Sequence, residues 1–575
     1  MLSALCDYAD KNLSGIEPGF ARKQVKWVLC CDENGRYTGL INLGEDTRGR
    51  WFDKSPVTPN MNSGGKSHFL AETLETVTLF GQQELEEKKQ LALQNKNHFF
   101  CDLLIQASES IPALKAAATL LQDSQQLAQI HADIEAKGNK IKLTDIVTFR
   151  INEAIPLQSD NWYEWWRCYY LQATEEKNKT TKTNNTRCLI SGELITPLES
   201  HPKIKGLAGV GGQASGDVIV GMDKGAFQSY GFKKSQNAAM SEQVANKYVA
   251  ALNFLIEQNG SRLGNSIITH WYKETLSAPV EDDPLAWLET PPENQEAGAL
   301  LASKKMLNAI QSGERPDLAN NQYYALMLSG AAGRVMIRDW IEGSFTDLVK
   351  NINQWFDDFS IIARDGNKLT QAPKFMAVAG ALVRDLKDLP APQLQQLWHT
   401  AINNSFIPYN ALSQATLRAR IDIINNNSPL HARMGLIKAY HCRKGDKHMQ
   451  PNVNPQHPEA AYHCGRLLAI LARLQYAALG DVGAGVIQRY YTATSQTPAL
   501  LIGRLIANAK NHLNKLEGGL GFWYEDKIAE TMSALGDSIP KTLTLEKQSL
   551  FALGYYQQLA EMKKKKTDIQ SETKT

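Results

Sequence analysis

Apolar residues crowd two short runs between Val25 and Leu43, VKWVLCC and YTGLINL, and the residues between them end in Asn34-Gly35. This spacing predicts a β-hairpin with Asn34-Gly35 as its two-residue turn. The preceding MLSALCDYADKNL has the pattern of a short amphipathic helix, and from Leu70 to Ala136 apolar positions recur at helical spacing, as in KKQLALQNKNHFFCDLLIQA. Trp162, Trp165 and Trp166 stand at i, i+3 and i+4, which favours a core helix packed on a sheet over a platform for stacked bases. Asp217 to Phe227 alternates briefly through Val218, Ile219 and Val220, as a short buried strand would. Ser241-Glu242 then opens a helix with Val244, Tyr248, Leu252 and Leu255 along one face.

Further on, Tyr323 to Trp340 reads as a strand or a buried hairpin, with Arg334 and Arg338 on one face and Val335 and Ile337 on the other. Beyond it the pattern is helical, punctuated by Pro390, Pro392 and Pro408. Leu467, Leu471, Leu474 and Ala478 form one apolar stripe with Arg466 and Arg473 off it, and Leu501, Leu505, Ile506 and Leu513 face a core. Residues 174–186 read as a polar linker and 282–296 as an acidic, proline-containing surface loop. The expected fold class is α+β. An amino-terminal domain over 1–365 mixes antiparallel sheet elements with helices, a carboxy-terminal helical bundle covers 366–562, and 563–575 is a disordered basic tail.

Size and charge narrow the function. A chain of 575 residues builds several cores, and no apolar run is long enough to span a bilayer. With no leader at its start, the expected location is the cytoplasm. Eight scattered cysteines give no disulfide framework. The formal net charge is only +2, so bulk attraction to polyanions is excluded and any nucleic-acid site must be local. From His431 onward 19 Lys/Arg face 12 Asp/Glu, which makes that end +7 and the remainder −5.

The candidate chemistry is that of a binder. Gly64-Gly65-Lys66-Ser67 lacks the first glycine of a phosphate loop, Asn60 standing in its place, yet Lys66 could hold one phosphate of a polymer. His201 to Gly216 is glycine-rich, a loop whose backbone can approach something closely. Its Gly209 to Ala214 fits GxGxxA, but it follows no strand and opens no helix. Lys233 and Lys234 suit phosphates, Gln236 and Asn237 suit base edges, and Tyr230 or Phe232 suits a wedge between base steps. Arg504, Asn508, Asn511 and Lys515 recur at i, i+4, i+7 and i+11, a row with no carboxylate that could track a backbone. His441, Cys442, His448, His457, His463 and Cys464 are crowded, but their spacing matches no zinc finger. Asp357-Asp358 and Glu281-Asp282-Asp283 lack a nearby histidine frame for two-metal chemistry, and no nucleophile elbow or HExxH is present. No catalytic residue, metal or cofactor is expected.

The segments HPKIKG, AFQSYG, QNAAMSE and YVAALN, in that order and spacing, resemble the signature region of the large subunit of the type I-C CRISPR Cascade complex. Gly19-Phe20 with VKWVLCCDENG, GGKSHFLAET, CLISGE, GRLLAIL, IQRYYTATSQTPA and QSLFALGYYQQ extend the likeness along the chain. The resemblance implies an amino-terminal domain that recognises the motif beside a double-stranded DNA target, assists duplex opening and R-loop stabilisation, contacts the 5′ handle of the guide RNA and helps recruit the helicase-nuclease. It implies backbone and guide-processing subunits as partners, and a carboxy-terminal bundle similar to the small subunit, made separately from Met434 or Met449. The chain departs from the commoner pattern at Phe232, where lysine is usual, and at Met222-Asp223, which replaces an aromatic-asparagine pair. Asn185 stands where many members carry the first cysteine of a CxxC pair with Cys188, so no metal is expected there. Two other readings are a metal-dependent nuclease that processes guide RNA and a scaffold without nucleic-acid contact.

Overall fold

The strand Trp27–Cys31 is buried along its whole length, because it lies inside a four-stranded sheet whose order is Tyr37–Asn42, Trp27–Cys31, Ile146–Ile151, Glu72–Thr73. A computed structural model describes residues 1–13, 16–44, 49–59, 61, 65–180, 186–198, 200–228, 230–278, 281–289, 296–371, 373–425, 427 and 430–564. Trp27–Cys31 pairs antiparallel with Tyr37–Asn42, as the hairpin pattern predicts, and parallel with Ile146–Ile151. A parallel pair needs a long crossover, and the helices Glu87–Ser108, Leu114–Gln122 and Ser124–Lys137 lie within it. The hairpin connection is longer than two residues: the Asp32 carboxylate accepts from the amides of Asn34 and Arg36 and holds it closed.

Trp162 and Trp166 are buried in this core, with Phe69 stacked on Trp166 at 5.5 Å and the Trp166 indole donating to the Gly19 carbonyl (2.7 Å). The aromatic cluster is therefore packing, held by the helix Tyr163–Thr180, which occupies most of the expected linker; residues 181–185 lie outside the described residues. Val218-Ile219-Val220 form no strand. They are half-buried, and the nearest ladder is the single bridge between Ile204 and Asp217.

A second sheet is wholly antiparallel, in the order Arg334–Ser344, Gln322–Ala331, Ser266–Tyr272, Ser261–Leu263. Arg334–Ser344 is its edge strand. Val335 is buried there but Ile337 is 44% exposed, and Arg338 sits at a bulge and donates to Ser329 Oγ (2.7 Å), so the two expected faces are not cleanly divided. The glycine loop approaches the neighbouring strand: a Cβ on Gly330 would lie 2.1 Å from Gly212 Cα, a backbone contact only glycine allows. Residues 290–295 of the acidic stretch lie outside the described residues, and its first part is packed into the fold. Asp282 is buried against Arg315 (2.7 Å), Asp283 takes His270 (2.8 Å) and the Tyr272 hydroxyl (2.6 Å), and Pro284–Glu289 is helical. His270 thus supplies the histidine that the local sequence lacked, beside one carboxylate.

The helices from Phe345–Phe359 to Leu545–Glu561 pack with this sheet around one continuous core that runs from Leu263 to Ala560. Two compact units result, Met1–Gly206 with Ser215–Phe254, and Leu207–Ala214 with Leu255 onward; position 365/366 lies inside the second. Pro390 and Pro408 stand at the N-caps of Ala391–Asn403 and Tyr409–Ile424. In Ala460–Leu479 every residue from Ala461 to Leu471 is buried, so Arg466, expected off the apolar stripe, is inside and donates to Gln558 Oε1 (2.8 Å). This helix and Leu545–Glu561 cross at glycines: a Cβ on Gly465 would lie 1.9 Å from the Phe551 carbonyl, and one on Gly554 2.1 Å from that of Tyr462. Among the described residues no helix is long and apolar enough to cross a membrane.

Helix His431–Arg443 is tied to the end of Phe345–Phe359 by Arg443 Nε, which donates to Asp358 Oδ2 (2.7 Å), and by Lys438 Nζ, which donates to the Asp358 carbonyl (2.8 Å). Both side chains of the Arg443–Asp358 pair are 5% exposed. Removing one member of such a pair leaves a buried charge unmatched, so Asp358→Ala is expected to cost about 3–5 kcal/mol, read as a lower denaturant midpoint.

Candidate nucleic-acid interface

The HPKIKG segment is held from both ends. His201 is buried with Nδ1 2.6 Å from the Tyr248 hydroxyl, and burial pushes its imidazole down to about 4. Ile204 is fully buried and exchanges backbone hydrogen bonds with Asp217 (2.7 and 2.9 Å), which leaves Lys203 and Lys205 exposed on either side. Asn253, from the helix Glu242–Asn259, accepts from the Lys205 amide (2.7 Å) and donates to the Lys203 carbonyl (3.3 Å). The helix face predicted through Val244, Tyr248, Leu252 and Leu255 is buried as expected. Lys23 donates to the Ala71 carbonyl (2.6 Å); burial lowers its ammonium to about 8, with Glu72 partly offsetting this and the charge of Lys205 adding to it. Lys23, Lys203 and Lys205 thus make a basic cluster that the sequence reading did not single out. Its signal was the alternation of lysine, isoleucine and lysine in HPKIKG.

Tyr230 is 96% exposed, and both it and Lys234 hold left-handed backbone, φ +53° and +49°. Non-glycine residues pay for that conformation, so the surroundings must enforce it. Around Lys234, two side-chain amides brace the backbone. Gln236 Oε1 accepts from the Lys233 amide (3.0 Å), and Asn237 Nδ2 donates to the carbonyls of Phe232 (3.2 Å) and Lys234 (3.0 Å), around the single turn Lys234–Ala238. The amides chosen from sequence as base readers are engaged in shaping the loop, whereas Tyr230, Phe232, Lys233 and Lys234 all face outward.

Lys66 lies on another element. It is half-buried with its ammonium 5.9 Å from the Phe99 ring centre, and Gly64 of its loop is outside the described residues, as are Asn60 and Asn185. Arg504, Asn508 and Asn511 are exposed on the helix Pro498–Leu513, and Lys515 is exposed in the turn after it. The crowded histidines are engaged separately: His441 with Ser549 Oγ (2.8 Å), His463 donating to the His457 carbonyl (2.6 Å). Among the described residues no group of three His, Cys, Asp or Glu is placed to hold a metal ion.

A family model described as CRISPR-associated protein (Csd1) matches the chain over residues 5–563. The chain belongs to that family, Csd1, which is the type I-C Cascade large-subunit family. No curated protein matches it.

His201, His441 and His463 are each held near 4 by burial, so they stay neutral in the folded chain while the unfolded chain protonates below its usual value near 6.5. Their contribution is whole above that value and is lost as pH falls; at pH 5 each is expected to remove about 1–2 kcal/mol, seen as a lower thermal midpoint that His201→Gln makes less steep. Asn237→Ala should loosen the loop by the worth of its hydrogen bonds, about 1 kcal/mol each, so trypsin is expected to cut after Lys233 and Lys234 several-fold faster, with fragment masses as the readout.

Proposed function

We propose that this chain is the subunit of a type I-C RNA-guided surveillance complex that recognises the short motif beside the target in double-stranded DNA and assists opening of the duplex there. The observation that carries the reading is an almost fully exposed Tyr230 followed by exposed Lys233 and Lys234 in a turn braced by Gln236 and Asn237. Phosphate contacts by cations position a protein on DNA, and an apolar or aromatic wedge replaces the stacking lost at an opened step. On this reading Tyr230 or Phe232 is the wedge, Lys233, Lys234 and Lys66 hold phosphates, and Gln236 and Asn237 keep the loop in its working shape. The exposed pair Lys203 and Lys205 offers a second place for a backbone, that of the guide handle or of the duplex. The exposed row from Arg504 to Lys515 stabilises the R-loop by tracking phosphates without reading bases.

The chain breaks no bonds itself in this scheme, works in the cytoplasm, and helps recruit the helicase-nuclease to a complex of guide RNA, backbone and guide-processing subunits. We infer further that a separate carboxy-terminal product begins at Met449. A start at Met434 would keep Lys438 and Arg443 without Asp358, their buried acceptor on Phe345–Phe359. A start at Met449 keeps the five helices from Ala460–Leu479 to Leu545–Glu561.

The test is a gel shift with guide-loaded complex over a salt series. Replacing both Lys233 and Lys234 with alanine should flatten the plot of log affinity against log salt by about 2, equally for targets with and without the flanking motif. Tyr230→Ala should leave that slope alone and reduce the fluorescence rise of 2-aminopurine placed beside the motif. Unchanged slope and unchanged opening would overturn the reading.

A further inference from the structure

A cavity of about 150 Å³ lies between the helices Ala460–Leu479, Val486–Gln496 and Pro498–Leu513. Its lining is divided. Leu471, Leu505 and Ala509 give an apolar wall and Tyr490 a ring, whereas Arg489, Asn508 and His512 bring polar groups. A cavity of that volume accommodates a benzene-sized ring, and a single-ring pyrimidine is the base nearest that size. A dry, wholly apolar pocket would suit a hydrocarbon. This one suits a flat ring with hydrogen-bonding edges.

Two further observations point to a ligand. His512 Nδ1 is buried and has no hydrogen-bond partner among the described residues, although buried polar atoms are almost always partnered. Burial, with the Lys515 charge adding to it, lowers the His512 pKa. Gln475 is already committed, its Oε1 accepting from the Val486 amide (2.7 Å), which fixes the start of Val486–Gln496 beside the cavity. Asn508 belongs both to the cavity lining and to the exposed row of Arg504, Asn508, Asn511 and Lys515. A phosphate chain following that row passes the cavity mouth at Asn508.

We propose that this cavity receives one pyrimidine base of a single-stranded nucleic acid whose backbone runs along the row. The proposal rests on the reading above that the helical half binds nucleic acid. It adds a base-sized receptor to a surface otherwise suited only to phosphates, and Asn508, His512 and Arg489 are the groups that would meet the edge of the base.

The experiment uses the full-length chain and fluorescence anisotropy at one fixed salt concentration, with oligothymidylate of about twelve nucleotides, oligodeoxyadenylate of the same length, and an abasic strand with the same number of phosphates. Oligothymidylate is expected to bind about tenfold more tightly than the abasic strand, the order that lodging a base supplies, with oligodeoxyadenylate in between. Ala509→Leu, which fills the apolar wall, should abolish the preference while leaving affinity for the abasic strand within about twofold, because the phosphate contacts are untouched. Should that variant fail to fold, Asn508→Ala, which removes a polar group at the mouth without adding volume, is expected to narrow the preference in the same direction. Equal binding of oligothymidylate and the abasic strand by the unaltered chain overturns the cavity proposal alone, as does a preference that survives either folded variant. Failure of the chain to bind any of the strands removes the underlying reading as well.

Discussion

Among the cations buried in the helical half, Arg433, Lys438 and Arg466, together with Arg443, whose side chain is 5% exposed, each find an acceptor away from water, and the helices around them are positioned by how they do so. Arg433 reaches the Ala381 carbonyl and Asp422, Arg443 reaches Asp358 and the carbonyls of Thr400 and Ser405, and Arg466 reaches Gln558. A buried guanidinium without such partners would cost several kcal/mol, whereas a matched one defines which helix lies against which. Lys438 does the same for the carboxy-terminal end of Phe345–Phe359, where free carbonyls would otherwise be left without donors.

The same constraint separates two uses of positive charge. In a chain of net charge +2, cations that serve the interior are matched locally by carboxylates, amides or carbonyls. Among the described residues, exposed cations stand in small groups that include the lysines of HPKIKG, the pair at Lys233-Lys234, and Arg504 on Pro498–Leu513. Local patches of this kind favour a docked geometry over general adhesion to polyanions, since screening confines each to about a Debye length.

Much of the architecture was legible as periodicity. The hairpin over 322–344, the buried face of Glu242–Asn259 and the prolines at helix starts all followed from patterns a few residues wide. What escaped depended on distant partners. Arg466 looked solvated because nothing in its own helix announces that Leu545–Glu561 covers that side, and Asp282 and Asp283 looked like surface because Arg315 and His270 are remote in sequence. Val218-Ile219-Val220 has strand-forming residues, but among the described residues it makes no more than isolated bridge pairing at its start. At the candidate site the residue types were readable, and the local backbone conformation was not. It is left-handed at Tyr230 and Lys234, which are not glycine and give no sign of it.

The crossing at Gly465 and Gly554 bears on how the chain is made. The first half of Ala460–Leu479 has no solvent-facing side, and the helix that closes over it emerges from the ribosome only after three intervening helices. During that interval a sticky apolar rod with an unmatched guanidinium is exposed to the cell, a target for chaperones and for self-association. Because the two backbones touch, any side chain at either glycine would keep the lid ajar after synthesis ends, so the hazard of a nascent intermediate would persist into the finished protein.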